Sequence, residues 1–171
     1  MQRLKITHTD ITTLQVDAIV NAANRSLLGG GGVDGAIHQA AGPELLEACR
    51  QLKGCETGQA KITEGFQLPA KWVIHTVGPI WSNGLKDEAA LLTSCYIECM
   101  KLAEKHQLKS IAFPAISCGV YHFPVSQAAR IAISTLGEIL KNNSQLEVVY
   151  LSCFSDEVFE AYEEALSRCK L

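Results

Sequence analysis

The run Asn21-Ala22-Ala23-Asn24-Arg25-Ser26-Leu27-Leu28-Gly29-Gly30-Gly31-Gly32-Val33-Asp34-Gly35 decides how the rest of the chain is read. An apolar segment, Ala18-Ile19-Val20, ends in two asparagines split by two alanines. Four consecutive glycines follow, and an acidic residue stands where a helical pattern begins. The order is strand, loop, helix. Four glycines in a row weaken either regular element, because each loses the most backbone freedom on folding and packs no side chain. Their use lies in the backbone. Without Cβ atoms, successive N–H groups converge on one concavity, and a helix starting beside them adds its free N–H groups and positive dipole end. Such a loop suits a phosphate or diphosphate. Gly-x-x-x-x-Gly-Lys-Ser/Thr is absent. Gly-x-Gly-x-x-Gly can be forced onto Gly30, Gly32 and Gly35, but Asn-Ala-Ala-Asn is no part of a Rossmann turn and no acidic residue closes a second strand at the usual distance. A mobile linker is disfavoured by the well-patterned apolar sequence on both sides.

A chain of 171 residues predicts one domain, 1–171, large enough to bury a core without disulfides or metals. With 47% hydrophobic and 19% charged residues, the composition is that of an ordinary globular protein. A net charge of −3 carries no basic footprint, which disfavours general nucleic-acid binding and leaves backbone amides to hold any anion. The seven cysteines lack framework spacing and fall mostly in apolar segments, as reduced buried thiols do. Cys95 and Cys99 share a helix face, yet no Cys-x-x-Cys or histidine partner accompanies them, so no metal is expected. Met1 leads straight into Leu4-Lys5-Ile6-Thr7, and no apolar run reaches the roughly 20 residues of a membrane span. The expectation is a cytoplasmic monomer that does not contact membranes.

Strands are expected at 3–8, as an edge strand, and at 17–20, 60–63, 72–77, 110–116 and 148–151. Helices are expected from Gly35 to Ala41, from Pro43 to Gly54, and over 87–105, 125–140 and 156–168. Strands and helices alternate, which predicts an α/β fold with a largely parallel sheet covered on both faces. Ligands in such folds sit at the carboxyl ends of strands. Two unusual loops qualify, 21–35 and Ser117-Cys118-Gly119-Val120-Tyr121-His122-Phe123-Pro124, and together they can grip the two sides of one diphosphate.

Asn21 and Asn24 are either turn residues or amides for sugar hydroxyls, to which an amide can both donate and accept. Asp34 falls where a helix N-cap is expected, but Ile37 occupies the place of the capping-box Glu or Gln, so structural and functional roles both stay open. A carboxylate there can orient water and favour positive charge at an anomeric carbon. Glycoside hydrolysis usually uses two carboxylates, however, and no second one is near. Any acid must come from elsewhere, the substrate's own phosphate included. Tyr121 and Phe123 either pack on a ribose or base or anchor their loop. Phe154 either stacks on a base or packs in the core. His75, inside an apolar strand, reads as a core histidine, His38 is ambiguous, and Cys118 with His122 is a minor candidate for a reactive thiol.

Taken together, Asn21-Ala22-Ala23-Asn24, LLGGGGVDGAIHQAA from Leu27 to Ala41, Gly42-Pro43, GCETGQAKIT from Gly54 to Thr63, His75-Thr76-Val77-Gly78-Pro79 and Ser117 to Pro124 resemble a macrodomain of the MacroD-type group of ADP-ribosyl hydrolases. The resemblance covers essentially the whole chain. It implies a three-layer α/β/α sandwich around a mixed, about six-stranded sheet, with ADP-ribose in a cleft at the strand ends. It implies that Asp10, with Ile11 beside it, accepts from the adenine amino group and that Phe154 flanks the adenine. The glycines of the first loop and the 117–121 loop embrace the diphosphate and distal ribose. The implied ligand-binding positions are thus Asp10, Ile11, Asn21, Ala22, Gly30, Gly31, Gly32, Val33, Ser117, Cys118, Gly119, Val120, Tyr121 and Phe154. The implied catalytic pair is Asn24, on the distal ribose, and Asp34, on the water, with neither metal nor cofactor. The implied reactions release ADP-ribose from acidic side chains of modified proteins and deacetylate O-acetyl-ADP-ribose. A reader module that binds ADP-ribose without turnover is the alternative, and an RNA-associated regulator is a third reading that the acidic balance opposes. Two positions depart from the family pattern. Thr9 stands for the glycine before Asp-Ile, and His122 for the glycine after Gly-Val-Tyr, where a positive φ would cost histidine free energy.

Overall fold

The computed structural model describes residues 3–169. Six strands form one sheet in the order β1-β6-β5-β2-β4-β3. They are β1 (Leu4–Thr7), β2 (Ala18–Ala22), β3 (Ala60–Glu64), β4 (Trp72–Thr76), β5 (Ser110–Pro114) and β6 (Val148–Ser152). All neighbours run parallel except β3, which pairs antiparallel with β4 at one edge, and β1 is the edge strand on the other side. The helices are α1 (Gly32–Ala41), α2 (Pro43–Leu52), α3 (Glu88–Lys105), α4 (Val125–Lys141) and α5 (Asp156–Arg168).

Side-chain alternation along the strands divides the apolar core in two. Ala18, Val20, Ile74, Ile111, Phe113, Val149 and Leu151 pack with α3, α4 and α5. Ile19, Val73 and Ala112 pack on the opposite face with Ile37 and Ala41 of α1 and Leu45 and Cys49 of α2. Strands buried on both faces read as continuous apolar runs, and this produces the α/β/α sandwich the sequence predicts.

The differences fall at element ends near the strand tips. β2 continues through Asn21 and Ala22, because these residues keep the register with His75 and Thr76 of β4 despite their low strand propensity. β4 and β5 stop at Thr76 and Pro114, earlier than expected. α1 begins at Gly32, three residues before the expected start at Gly35, since two glycines adopt its first turn at little steric cost. α2 closes on Lys53, which takes the left-handed conformation (φ 59°) usual for a helix end, and Gly54 follows.

Candidate functional site

The carboxyl ends of β2, β5 and β6, the start of α1 and the 117–121 loop enclose a cavity of about 900 Å³. That is the location a parallel sheet favours for a ligand. Its walls include Ala22, Ala23 and Asn24 after β2, Gly30 to Asp34, Pro114 and Ala115 at the end of β5, and Ser152 to Phe154 after β6.

The glycines do distinct things. Gly29 (φ +93°) and Gly32 (φ +59°) take left-handed backbone, and Gly31 caps α1 with extended backbone and no side-chain bond. The Gly35 N–H returns to Gly31 O at 3.3 Å, so the N–H groups of Gly32, Val33 and Asp34 have no helical carbonyl to bond and point out of the helix end. Gly35 permits a close approach, since a Cβ there would stand 2.5 Å from Gly30 O.

Asp34 is therefore not the N-cap but a residue of the first turn, with its carboxylate buried (4% exposed) and freed from capping. Its Oδ1 accepts from Asn21 Nδ2 at 2.9 Å and faces His38 Nε2, one turn on, at 3.4 Å. Its Oδ2 lies 3.2 Å from where a Cβ on Gly30 would stand, and Asn24 Nδ2 lies 3.4 Å from the same point. An amide and a carboxylate thus converge over a glycine on the cavity wall. Asn24 is held in place by its own loop. Its Nδ2 donates to Gly29 O at 2.9 Å, and its Oδ1 accepts from Ser26 Oγ at 2.7 Å and Leu27 N at 3.1 Å. With both lone pairs used, Asn24 offers one remaining N–H.

The second loop is anchored from beneath. Ser117 takes left-handed backbone (φ 67°) and donates from Oγ to Pro79 O at 2.8 Å. A Cβ on Gly78 would collide with that hydroxyl, which is why Gly78 precedes Pro79. Within the loop, Cys118 N–H donates to Ala115 O, His122 N–H to Gly119 O and Phe123 N–H to Ser117 O. Among the described residues this leaves the N–H groups of Gly119, Val120 and Tyr121 outside the loop's own bonds. Phe123 is buried against Trp81, with ring centroids 4.9 Å apart, so it anchors the loop, while Tyr121 lines the cavity. His122 has φ 60°, the left-handed backbone for which glycine is suited.

At the other end, Asp10 caps a short turn (Ile11–Thr13). Its Oδ1 accepts from Thr12 N and Thr12 Oγ1 at 3.0 and 2.8 Å, and its Oδ2 takes no bond among the described residues. Phe154 is 65% exposed on the rim, which removes the core-packing reading.

Of the expected site residues, Asp10, Ile11, Ala22, Asn24, Gly30, Gly31, Gly32, Val33, Asp34, Ser117, Gly119, Val120, Tyr121 and Phe154 all line this one cavity. Asn21 and Cys118 do not. Asn21 is fully buried because strand alternation turns its side chain beneath α1, where it bonds Asp34 rather than facing the cavity. The Cys118 side chain packs on the core, and burial, with the charges of Cys153 and Glu157 adding to it, pushes its thiol up to about 12, the opposite of a reactive cysteine. His75 is a buried core histidine as expected. Sequence reasoning missed His8, Ala23, Ala36, Gly78, Pro114, Ala115, Ser152 and Cys153 as lining residues. Most are small residues at strand tips, and they carry no local signal until the topology brings those tips together.

A family model described as Macro domain matches residues 20–132. A macro domain-containing protein of Chlorobaculum tepidum is 61% identical over 158 residues, covering 92% of each chain. A Citrobacter rodentium protein named O-acetyl-ADP-ribose deacetylase is 52% identical over 170 residues, covering 97% of this chain and 96% of its own. Among solved structures, a glycine-to-valine variant of the Oceanobacillus iheyensis macrodomain with ADPR superposes with a TM-score of 0.92 at 46% identity. That match covers 96% of this chain and 91% of the other.

Proposed function

The chain belongs to the macrodomain family, and from that premise we propose that it binds ADP-ribose and hydrolyses it from the acidic side chains of modified proteins, and that it deacetylates O-acetyl-ADP-ribose. The observation that carries the hydrolase reading is the convergence of Asp34 Oδ2 and the free N–H of Asn24 over Gly30. In this reading the adenine lies between Phe154 and Ile11 with its amino group on Asp10. The diphosphate lies against the N–H groups of Gly32, Val33 and Asp34 on one side and Gly119 to Tyr121 on the other, where the dipole of α1 favours negative charge. Among the described residues no arginine or lysine lines the cavity wall, so in this reading the backbone supplies the positive potential.

The distal ribose then meets Asn24 and Asp34. Asn24 donates its remaining N–H to a ribose hydroxyl. Asp34 Oδ1 is occupied by Asn21, so Oδ2 accepts from a water and directs its lone pair at the anomeric carbon. The water oxygen bonds that carbon, the ester C–O bond breaks, and the protein carboxylate leaves with the electron pair while the water proton passes towards Asp34. The negative carboxylate also favours the positive charge that develops on the sugar. The released carboxylate is stable as an anion near pH 7, so its departure needs no general acid.

The alternative is a reader that binds ADP-ribose and does not turn it over. It is favoured by the internal bonds that occupy most of the Asn24 amide. Incubation with a protein carrying glutamate-linked mono-ADP-ribose separates the two. A hydrolase frees ADP-ribose well in excess of enzyme, whereas a reader co-migrates with intact modified protein and frees none.

A further inference from the structure

Beneath the cavity, strand alternation places three polar side chains on the face that α1 and α2 cover. They are Asn21 of β2, His75 of β4, its register partner, and Thr63 of β3. All are buried, and they form a continuous chain. Asn21 Nδ2 lies 2.9 Å from Asp34 Oδ1 and 3.1 Å from His75 Nδ1, His75 Nε2 lies 3.0 Å from Thr63 Oγ1, and Thr63 Oγ1 donates to Glu64 O at 3.1 Å.

With Asp34 ionised, one assignment of protons satisfies these four contacts. It leaves the buried Asn21 Oδ1 without a partner among the described residues. Cys49 Sγ lies beside the chain, 3.7 Å from His75 Nε2. An amide nitrogen has two hydrogens and no acceptor capacity, so Asn21 Nδ2 donates once to the Asp34 carboxylate and once to His75 Nδ1. A flipped amide would set its oxygen against the carboxylate. Nδ1 must then be bare, and a neutral imidazole with bare Nδ1 carries its proton on Nε2, where it donates to Thr63 Oγ1. The hydroxyl proton goes on to Glu64 O. Every bond runs in one direction, and burial, reinforced by the charge of His38, holds the imidazole down to about 3, so it stays neutral near pH 7. A protonated ring would point an N–H at an N–H and break the chain.

We infer that His75 is a positioning residue for hydrolysis: through its bare Nδ1 it fixes the Asn21 amide, which in turn fixes the Asp34 carboxylate with Oδ2 towards the cavity. The inference rests on the reading of Asp34 given above. His75 lies outside the cavity wall and touches no substrate in that reading, so loss of its acceptor affects chemistry without affecting ligand affinity.

The test uses two substitutions that mimic different ring nitrogens. Asn places its oxygen near Nδ1, and Gln places its amide near Nε2. His75→Gln loses the acceptor for Asn21 and is expected to lower kcat for ADP-ribose release roughly tenfold to hundredfold, with KM and ADP-ribose affinity unchanged. His75→Asn restores most of the rate. In an Asp34→Ala background neither substitution has a further effect. Equal losses in both backgrounds, or a loss of affinity matching the loss of rate, would overturn the inference. Independently of activity and of variant folding, 15N NMR of the parent at neutral pH is expected to show an unprotonated Nδ1 and a protonated Nε2 on His75, and the reverse tautomer would also overturn it. If the parent releases no ADP-ribose, the hydrolase reading fails by itself. The chain is then judged by the Asp34 carboxyl 13C resonance, which shifts in His75→Gln if the chain holds and stays in place if it does not.

Discussion

Gly30→Ala separates the site's chemistry from its fold. Gly30 has no left-handed backbone, so alanine brings no φ penalty, and fewer unfolded conformations would by themselves stabilise the protein by about 0.4–1 kcal/mol. The added methyl, however, stands 3.2 Å from Asp34 Oδ2 and 3.4 Å from Asn24 Nδ2. A water bonded to both groups needs a site about 2.8 Å from each, and the methyl takes up that space. Removing a positioned acid–base interaction costs about 10²- to 10⁴-fold in rate, so release in the variant should fall at least about 10²-fold. Shifts of 1 kcal/mol move the melting temperature of a chain this size by roughly 2–4 °C, so thermal unfolding should stay within a few degrees of the parent. Single-turnover release from glutamate-modified protein and thermal unfolding measure the two, and ADP-ribose titration checks that the ligand still binds. A variant that releases at the parental rate would refute the placement of the water, and one that unfolds would show that Gly30 serves the backbone instead.

Gly35→Ala should act in the opposite way. Its Cβ would stand 2.5 Å from the backbone oxygen of Gly30, a contact no rotamer relieves, so stability should fall by about 1–3 kcal/mol in urea unfolding. Phe154→Ala should leave stability within about 0.5 kcal/mol because the ring is exposed. It should weaken ADP-ribose by about 1–3 kcal/mol of lost stacking, while ribose 5-phosphate, which lacks the base, binds as before. Stability should depend on pH through His75. The folded ring titrates at about 3, the unfolded one near 6.5, so the unfolded chain takes up a proton first. The contribution is therefore complete above pH 6.5 and is lost as pH falls towards 3, with a slope of up to about 1.4 kcal/mol per pH unit. Denaturant unfolding across that window should show a shallower slope in His75→Asn than in the parent.

Most of the architecture was legible because it rests on strong local patterns. Continuous apolar runs at Ile111-Ala112-Phe113 and Val148-Val149-Tyr150-Leu151 mark strands covered on both faces, and the helical period from Leu91 to Ala103 marks α3. The glycine run was legible as a loop leading into a helix because four adjacent residues without side chains suit neither a strand nor a helix interior. Less legible was anything decided by which side of a strand a residue faces. Asn21 and Asn24 look alike in sequence, yet one residue continues β2 and turns beneath α1 while the other lies past the strand end and faces the cavity. Asp34 resembled an N-cap because Gly31 and Gly32, which begin the helix, carry no side-chain signal of a helix start. His75 and Thr63 meet only through the antiparallel pairing of β3 with β4, a tertiary choice that no local spacing encodes.

The most direct measurement is the single-turnover rate of ADP-ribose release from glutamate-modified protein by the parent and by Asp34→Asn, with ADP-ribose affinity titrated for both. Asn fills the same space and keeps the fold but offers a neutral group in place of the carboxylate. If Asp34 directs the attacking water, the parent releases ADP-ribose, Asp34→Asn loses at least about 10²-fold in rate, and the two affinities stay within about threefold of each other. Equal release by the two proteins, or an inactive parent that binds ADP-ribose normally, would contradict it.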